Sequence, residues 1–345
     1  MFFCYFLLVF IFVSGVNAFP SQKSELKDLF NAFKLTYNKT YHYGSAEHDF
    51  RFNNFMASIK RINYQNHLNF IKTDDNNSTP VYGITKFSDL SPKEFQDKYL
   101  SKPIEQTFPK NESWNVAKYM QVPVTENVWD WRKKKVITPV KDQGGCGSCW
   151  AFSTVENVET SWALSGNQVT ELSTQEVVDC SNNNYGCKGG SPCNALIWLK
   201  NNKIKLAKNN LYPYDGSTEK CRTNMESDGV GVLDYFCESC FGPCPMVEIK
   251  KMLPLVHAIG PLAVSVNAIS WQDYIGGVIQ HHCSFDSANH AVQIVGYNLN
   301  EQPPYWIVRN SWGLNFGEEG YLRIKVGDNV CGVANSYSGV KSTYS

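Results

Sequence analysis

Apolar positions along the chain change their period from segment to segment, and each change predicts a different kind of element. Residues 1–13 are apolar without interruption, and Val16 and Ala18 stand at the −3 and −1 positions of a cleavage site. This predicts a secretory signal peptide over 1–18, although no basic residue opens it. A membrane anchor would need about 20 apolar residues, more than the run supplies. Next, Leu26, Leu29, Phe30, Phe33 and Tyr37 fall on one helical face. Glu47, Arg51, Phe55, Ser58, Ile62 and Asn66 follow at spacings of 4, 4, 3, 4 and 4, which puts all six on one stripe of a second helix. Glu47 precedes Arg51 in the favourable order for an ion pair one turn apart. Ser91-Pro92-Lys93-Glu94 is a capping box with proline at the first helical position.

Ala151, Val155, Val158 and Trp162 predict a further helix that closes at Gly166. Ser173-Thr174-Gln175-Glu176 reads as a capping box for a helix reaching Cys180. Beyond these, strand-like runs cover 261–266, 290–297, 304–309 and 320–326. Helices followed by strands predict an α+β fold.

Composition adds the compartment. The 345 residues are 43% hydrophobic and 14% aromatic, enough for a substantial core in one or two domains. The 32 basic and 32 acidic residues cancel, so charge gives no argument for nucleic-acid binding. Neither phosphate-binding glycine loop occurs, and no His-Glu-x-x-His, so we expect no nucleotide cofactor and no metal. Charge is partitioned: residues 19–124 carry 14 basic and 11 acidic side chains, residues 125–345 carry 18 and 21. Opposite signs would help the two parts associate. Cysteine divides the chain in the same place. None of the twelve lies in 19–122 and eleven lie from 123 onward, which after a signal peptide implies an oxidising route.

The candidate chemistry sits in Gln143-Gly144-Gly145-Cys146-Gly147-Ser148-Cys149-Trp150, where a glycine-containing loop becomes the 151–162 helix. At a helix N-terminus the macrodipole and free N–H groups favour an anion, so Cys149 could be a thiolate nucleophile. A disulfide cysteine is the plain alternative. A nucleophile needs a proton partner, and His290 in Asn289-His290-Ala291 lies 141 residues on. Asn310, in Asn310-Ser311-Trp312-Gly313, lies 161 residues on.

Cys146-Gly147-Ser148-Cys149-Trp150 resembles the local signature of the papain-like cysteine peptidases. The histidine and asparagine words resemble that family too, and residues 271–283 and 304–310 are most similar to one cathepsin branch of it. The resemblance implies two lobes, one helical and one barrel-like, with a cleft between them. Cys149 would be the nucleophile with a pKa well below about 8.5, and His290 its acid and base. Asn310 would orient the imidazole under the shield of Trp312, and Gln143 would donate to the oxyanion. The main pocket would be lined by Ser191, Pro192, Ser265, Ala288, Ala291 and Ser336, with Gly189, Gly190 and Trp312 also touching substrate. His281-His282 resembles the pair with which one carboxypeptidase member grips a C-terminus; its place beside Cys283 argues for structure instead.

The resemblance also implies an inhibitory propeptide over 19–122 and a peptidase domain over 123–345. The 47–66 stripe is similar to the interlocking helix motif of such propeptides, with Ser58 in place of asparagine. Gly83-x-Thr85-x-Phe87-x-Asp89 is similar to their second motif, with a departure at Thr85. Bridges Cys146–Cys187, Cys180–Cys221 and Cys283–Cys331 follow by resemblance. Cys193, Cys237, Cys240 and Cys244 are left for one or two further disulfides or, less naturally in a secreted chain, for zinc. Sequons at Asn38, Asn76, Asn77 and Asn111 all precede the boundary, so any sugar would be lost on maturation. The implied partners are protein and peptide substrates, the chain's own propeptide and cystatin-type inhibitors, with no nucleic acid and no membrane. The implied location is the lysosome or the extracellular space. The alternative from another class is a catalytically silent papain-like binding protein.

Overall fold

The computed structural model describes residues 19–20, 22–73, 81–102, 114–222, 229–240, 244 and 246–342. The signal-peptide reading and the sequons at Asn76, Asn77 and Asn111 lie outside the described residues.

The amino-terminal part is helical: α1 (Lys23–Thr36), α2 (Ala46–Thr73), α3 (Pro92–Tyr99) and the single turn α4 (Ala117–Met120). Phe30 and Phe33 of α1 pack on Phe55 of α2 with ring centroids 5.2 and 5.1 Å apart. The polar members of the α2 stripe lock the segment to itself. Arg51 Nε donates to Glu47 at 3.1 Å, Arg51 reaches Glu94 at 2.9 Å, and Asn66 both donates to and accepts from the backbone of Tyr82. At α3 both halves of the capping box form, Glu94 N–H to Ser91 Oγ at 3.1 Å and Ser91 N–H to Glu94 Oε2 at 2.9 Å.

The remainder begins with β1 (Val128–Asp130), continues through α5 (Cys149–Leu164), α6 (Thr174–Cys180) and α7 (Pro192–Asn201), and then turns to strands. These are β2 (Lys205–Leu206), β3 (Val230–Ser239), then α8 (Leu253–Ala258), β4 (Leu262–Val266), β5 (Val278–Ile279), β6 (His290–Asn298), β7 (Tyr305–Arg309), β8 (Tyr321–Lys325) and β9 (Ser336–Ser342). The sheet order is β2-β3-β9-β4-β6-β7-β8-β5, with β1 added on β6. Every predicted helix and strand is present within a few residues. Two long strands were not predicted, β3 and β9, which pair along seven positions. The second capping box forms by half. Ser173 accepts from Glu176 N–H at 2.9 Å, but the Glu176 carboxylate turns away and accepts from Ala207 N–H at 2.8 Å. A neighbouring segment with an unpaired N–H outcompetes the local bond.

Two apolar clusters separate the lobes. One gathers Trp150, Val155 and Val158 of α5, Val177 of α6 and Leu196 and Leu199 of α7. The other gathers Ile294, Trp306 and Leu322 of the sheet with Phe30, Phe55, Phe87 and Phe95. The amino-terminal segment therefore shares its core with the strand lobe, and burial of that area is what holds it there. Five disulfides tie the second part: Cys146–Cys187, Cys180–Cys221, Cys193–Cys237, Cys240–Cys244 and Cys283–Cys331. The four cysteines left open by the sequence pair with each other, and no metal-binding group of three side chains occurs among the described residues. No described helix is long and apolar enough to cross a membrane.

Candidate active site

Cys149 is the first residue of the 16-residue helix α5 and the only free cysteine among the described residues. Its neighbour Ser148 does not cap the helix; the Ser148 hydroxyl lies 2.7 Å from Tyr214 Oη instead. Glycines set the approach to the thiol. A Cβ on Gly190 would lie 2.4 Å from the ring of Trp150, so only glycine lets this strand of backbone pass the indole.

His290 begins β6, and its Nε2 lies 2.8 Å from Asn310 Oδ1. Trp312 stacks on the imidazole with centroids 4.7 Å apart, and Trp271 meets it edge-on at 5.9 Å. The two indoles cover the imidazole, and the His290–Asn310 bond fixes the ring through Nε2 and leaves Nδ1 as the other nitrogen. Phe316, fully buried, supports Trp312 at 4.7 Å. Gln143 is held from three directions. Its N–H donates to Ser311 O at 2.8 Å, its Oε1 accepts from Ser311 Oγ at 2.7 Å, and its Nε2 donates to Cys146 O at 2.8 Å. The same Nε2 donates to Tyr99 O at 3.2 Å, a peptide carbonyl of the amino-terminal segment.

That segment occupies the site. Phe87 and Phe95 meet Trp312 edge-on at 5.5 and 5.4 Å. Ser101 N–H donates to Asn289 O at 2.7 Å, and Ser101 Oγ lies 3.1 Å from Cys149 Sγ. His290 Nδ1 is buried with no hydrogen-bond partner among the described residues. Burial pushes the Cys149 thiol up, against the low value expected from sequence, although Ser101 and backbone N–H groups oppose the rise. Burial likewise lowers His290 to about 4, with the Asn310 bond opposing. The helix terminus is in place, but covering it removes the water that charged forms need. In this state thiol and imidazole are held neutral.

Of the remaining sequence candidates, Ala291 meets the thiol directly through its backbone N–H. Ser191 and Pro192 start α7, Ser265 pairs with Ala291 across β4 and β6, and Ser336 pairs with Ser239 across β9 and β3. The Cys193–Cys237 bridge joins α7 to β3. Ala288 is half-buried just before His290, and Gly189 has a φ of 127° that favours glycine. His282 lies edge-on to Tyr82 of the amino-terminal segment at 6.0 Å.

Three contributions were not visible in the sequence. Ser101 and Tyr99 reach the thiol and Gln143 from outside every recognisable word. Arg309, next to Asn310, is fully buried 3.5 Å from Glu156 of α5, and burial pushes Glu156 up to about 7. Lys141 pairs with Glu159 on the same helix. These charges tie the backbone carrying Gln143 and Asn310 to the helix carrying Cys149. The third is Asp273, a fully buried carboxylate of the strand lobe that receives Arg61 at 2.5 Å and Ser58 at 2.7 Å from α2.

Residues 125–340 match the family described as "Papain family cysteine protease", and residues 30–95 match the "Cathepsin propeptide inhibitor domain (I29)". Human cathepsin O is 44% identical over 292 residues, covering 83% of this chain and 86% of the relative. The mouse protein of that name is 43% identical over 267 residues, 76% and 83% of the two chains. Among solved structures, a digestive procathepsin L2 proteinase from Tenebrio molitor larval midgut superposes with a TM-score of 0.79 at 28% identity, over 91% of this chain and 99% of the other. A recombinant stem bromelain precursor gives 0.75 at 29% identity, over 91% and 98%. The chain belongs to the papain family of cysteine proteases and carries that family's propeptide inhibitor domain ahead of the peptidase.

Proposed function

We propose that the chain is the latent precursor of an endopeptidase of general protein turnover, with a signal peptide over 1–18, a propeptide over 19–122 and the enzyme over 123–345. The observation that carries the reading is Cys149 at a helix terminus, in hydrogen-bond contact with the backbone N–H of Ala291, next in sequence to an imidazole already fixed by Asn310. Once uncovered, the Cys149 thiolate attacks the scissile carbonyl, and the oxyanion lies between Gln143 and the Cys149 N–H. The His290 imidazolium gives its proton to the leaving amine, which departs and leaves a thioester. His290 then takes a proton from water, whose oxygen attacks the thioester and frees the carboxyl product with Cys149 restored. No cofactor enters these steps. The lysosome or the extracellular space is the setting, cystatin-type proteins are the expected inhibitors, and neither nucleic acid nor membrane takes part. Any sugar at Asn38 departs with the propeptide.

Specificity should come from the pocket beside α7. Ser191, Pro192, Ser265, Ala288, Ala291 and Ser336 are small and uncharged, and the buried Ser191 hydroxyl has no partner among the described residues. An arginine there would lose hydration without a carboxylate to receive it. An apolar side chain gains about 1.5–3 kcal/mol from burial. Matched dipeptide substrates should therefore be cut with a higher kcat/KM when Phe, Leu or Val, rather than Arg, stands second before the cut. Preference for Arg would refute this pocket.

Acid should uncover the site, and the sign follows from His290. Its pKa in the covered state is lowered to about 4, whereas an open imidazole titrates near 6.5. The open form thus binds more protons as pH falls. Counted on His290 alone, closure weakens below about 6.5 by up to about 1.4 kcal/mol per pH unit toward 4, and the proton that the Cys149 thiol gives up on uncovering offsets part of this. Alkylation of Cys149 in the precursor, normalised to the processed enzyme at each pH, should rise over this window. A flat ratio between pH 7 and 4 would contradict the proposal.

A further inference from the structure

We propose that Asp142 and the main-chain carbonyl of Trp312 form a subsite for a lysine or arginine side chain of the substrate, on the leaving-group side of the scissile bond. The proposal rests on the peptidase reading above and adds a substrate preference to it.

In the precursor the position is taken by the propeptide's own lysine. Lys86 Nζ donates to Asp142 Oδ2 at 3.0 Å and to Trp312 O at 2.7 Å. The carboxylate is fixed for this contact, because its other oxygen accepts from Gly144 N–H at 2.9 Å. The backbones of Asp142 and Trp312 face each other across an isolated antiparallel bridge. A Cβ on Gly313 would lie 2.7 Å from Asp142 Oδ2, and Gly313 has a φ of 75°. Glycine there is what lets the carboxylate close on the Trp312 carbonyl.

Its place relative to the chemistry defines the side of the cut. Asp142 adjoins Gln143, and Trp312 stacks on His290. His290 protonates the leaving amine, so residues after the cut run past the imidazole and over Trp312. The acyl half stays on Cys149 and extends the other way, toward Gly190 and α7.

No cation of the peptidase itself neutralises Asp142 among the described residues. Its recorded ion pair is with Lys86, and the adjacent Lys141 is committed to Glu159. The position opens into a cleft of about 410 Å³ whose lining includes a second carboxylate, Asp215, and no basic side chain besides Lys86. Removal of the propeptide therefore leaves an acidic recess with an aligned carbonyl acceptor, shaped around an ammonium group. Asp142 is about half exposed (48%) in the precursor, so the preference is a few-fold one and is screened by salt.

The test uses the enzyme obtained by processing the full-length chain. Internally quenched peptides share the residues before the cut and carry lysine, arginine, norleucine or glutamate at each of the first three positions after it. At one of these positions, lysine and arginine should exceed norleucine in kcat/KM by about 2- to 5-fold at low salt. Glutamate should fall below norleucine. Asp142→Asn keeps an oxygen for Gly144 N–H while removing the charge, and should bring the lysine-to-norleucine ratio close to one. A ratio near one in the parent at all three positions, or a preference unchanged in Asp142→Asn, overturns the subsite. No cleavage of the norleucine peptide would defeat the peptidase reading itself, a separate and distinguishable result.

Discussion

Arg61→Met is expected to open the precursor at neutral pH. Asp273 is fully buried under α2, where Arg61 and Ser58 are its partners and Tyr82 is the nearby titratable group. Burial raises the Asp273 pKa despite these partners, so its charge in the closed state is tolerated only because of them. Breaking a buried pair from one side costs about 3–5 kcal/mol. Arg61 is about a quarter exposed (24%), so about 2–3 kcal/mol is a fair expectation, or roughly 30- to 150-fold more of the open form. Alkylation of Cys149 in the full-length precursor at pH 7 reads that population, because the thiol is buried when closed. The defect should shrink in acid. A raised pKa means that the closed state takes up a proton on Asp273 before the open state does, and a neutral Asp273 no longer needs Arg61. This pair therefore does not favour release of the propeptide in acid. The double variant Arg61→Met, Asp273→Leu should recover most of the closure, since removing both charges leaves nothing buried unpaired. Labelling at the parental rate in Arg61→Met would show that the pair does not hold the propeptide.

The sequence carried the helices well because their signals are local. Phe30 and Phe33, the Glu47-to-Asn66 stripe and the Ser91–Glu94 box all state within a few residues which face is buried. The strands β6, β7 and β8 were legible for the same reason. β3 and β9 were not: Val230–Ser239 is broken by Gly231 and Asp234, and Ser336–Ser342 alternates serine with few apolar residues. Their stability comes from pairing with each other about a hundred residues apart, which no local pattern records. The site was legible where one word holds several functional groups, as at Gln143 to Cys149. It was not legible where two distant polar residues meet under cover. Ser58 and Asp273 are 215 residues apart, and the Ser101 hydroxyl beside Cys149 gives no signal in its own neighbourhood. The thiol pKa depends on the cover: a helix terminus argues for a thiolate, and burial beneath the propeptide raises the thiol in the precursor.

The larger effect is expected at Cys149 itself. The proposed chemistry passes every substrate carbonyl through a bond to this sulfur, with His290, fixed by Asn310, as its acid and base and Gln143, fixed by Cys146, as its oxyanion donor. A serine there has a far higher pKa, and His290, tuned to a thiol, cannot activate it. Removing the nucleophile from such a group leaves only binding and the oxyanion donors, a loss on the order of 10⁴- to 10⁶-fold. Packing should be little disturbed, because serine fits the same volume and can still meet the Ser101 hydroxyl.

The most direct measurement is therefore peptide turnover by full-length Cys149→Ser protein, processed by an added protease and compared with the parent treated identically. The account predicts a chain that folds, is exported, does not process itself in acid, and turns over at least about 10⁴-fold more slowly than the parent once its propeptide is removed. Peptidase activity retained in that variant would contradict it.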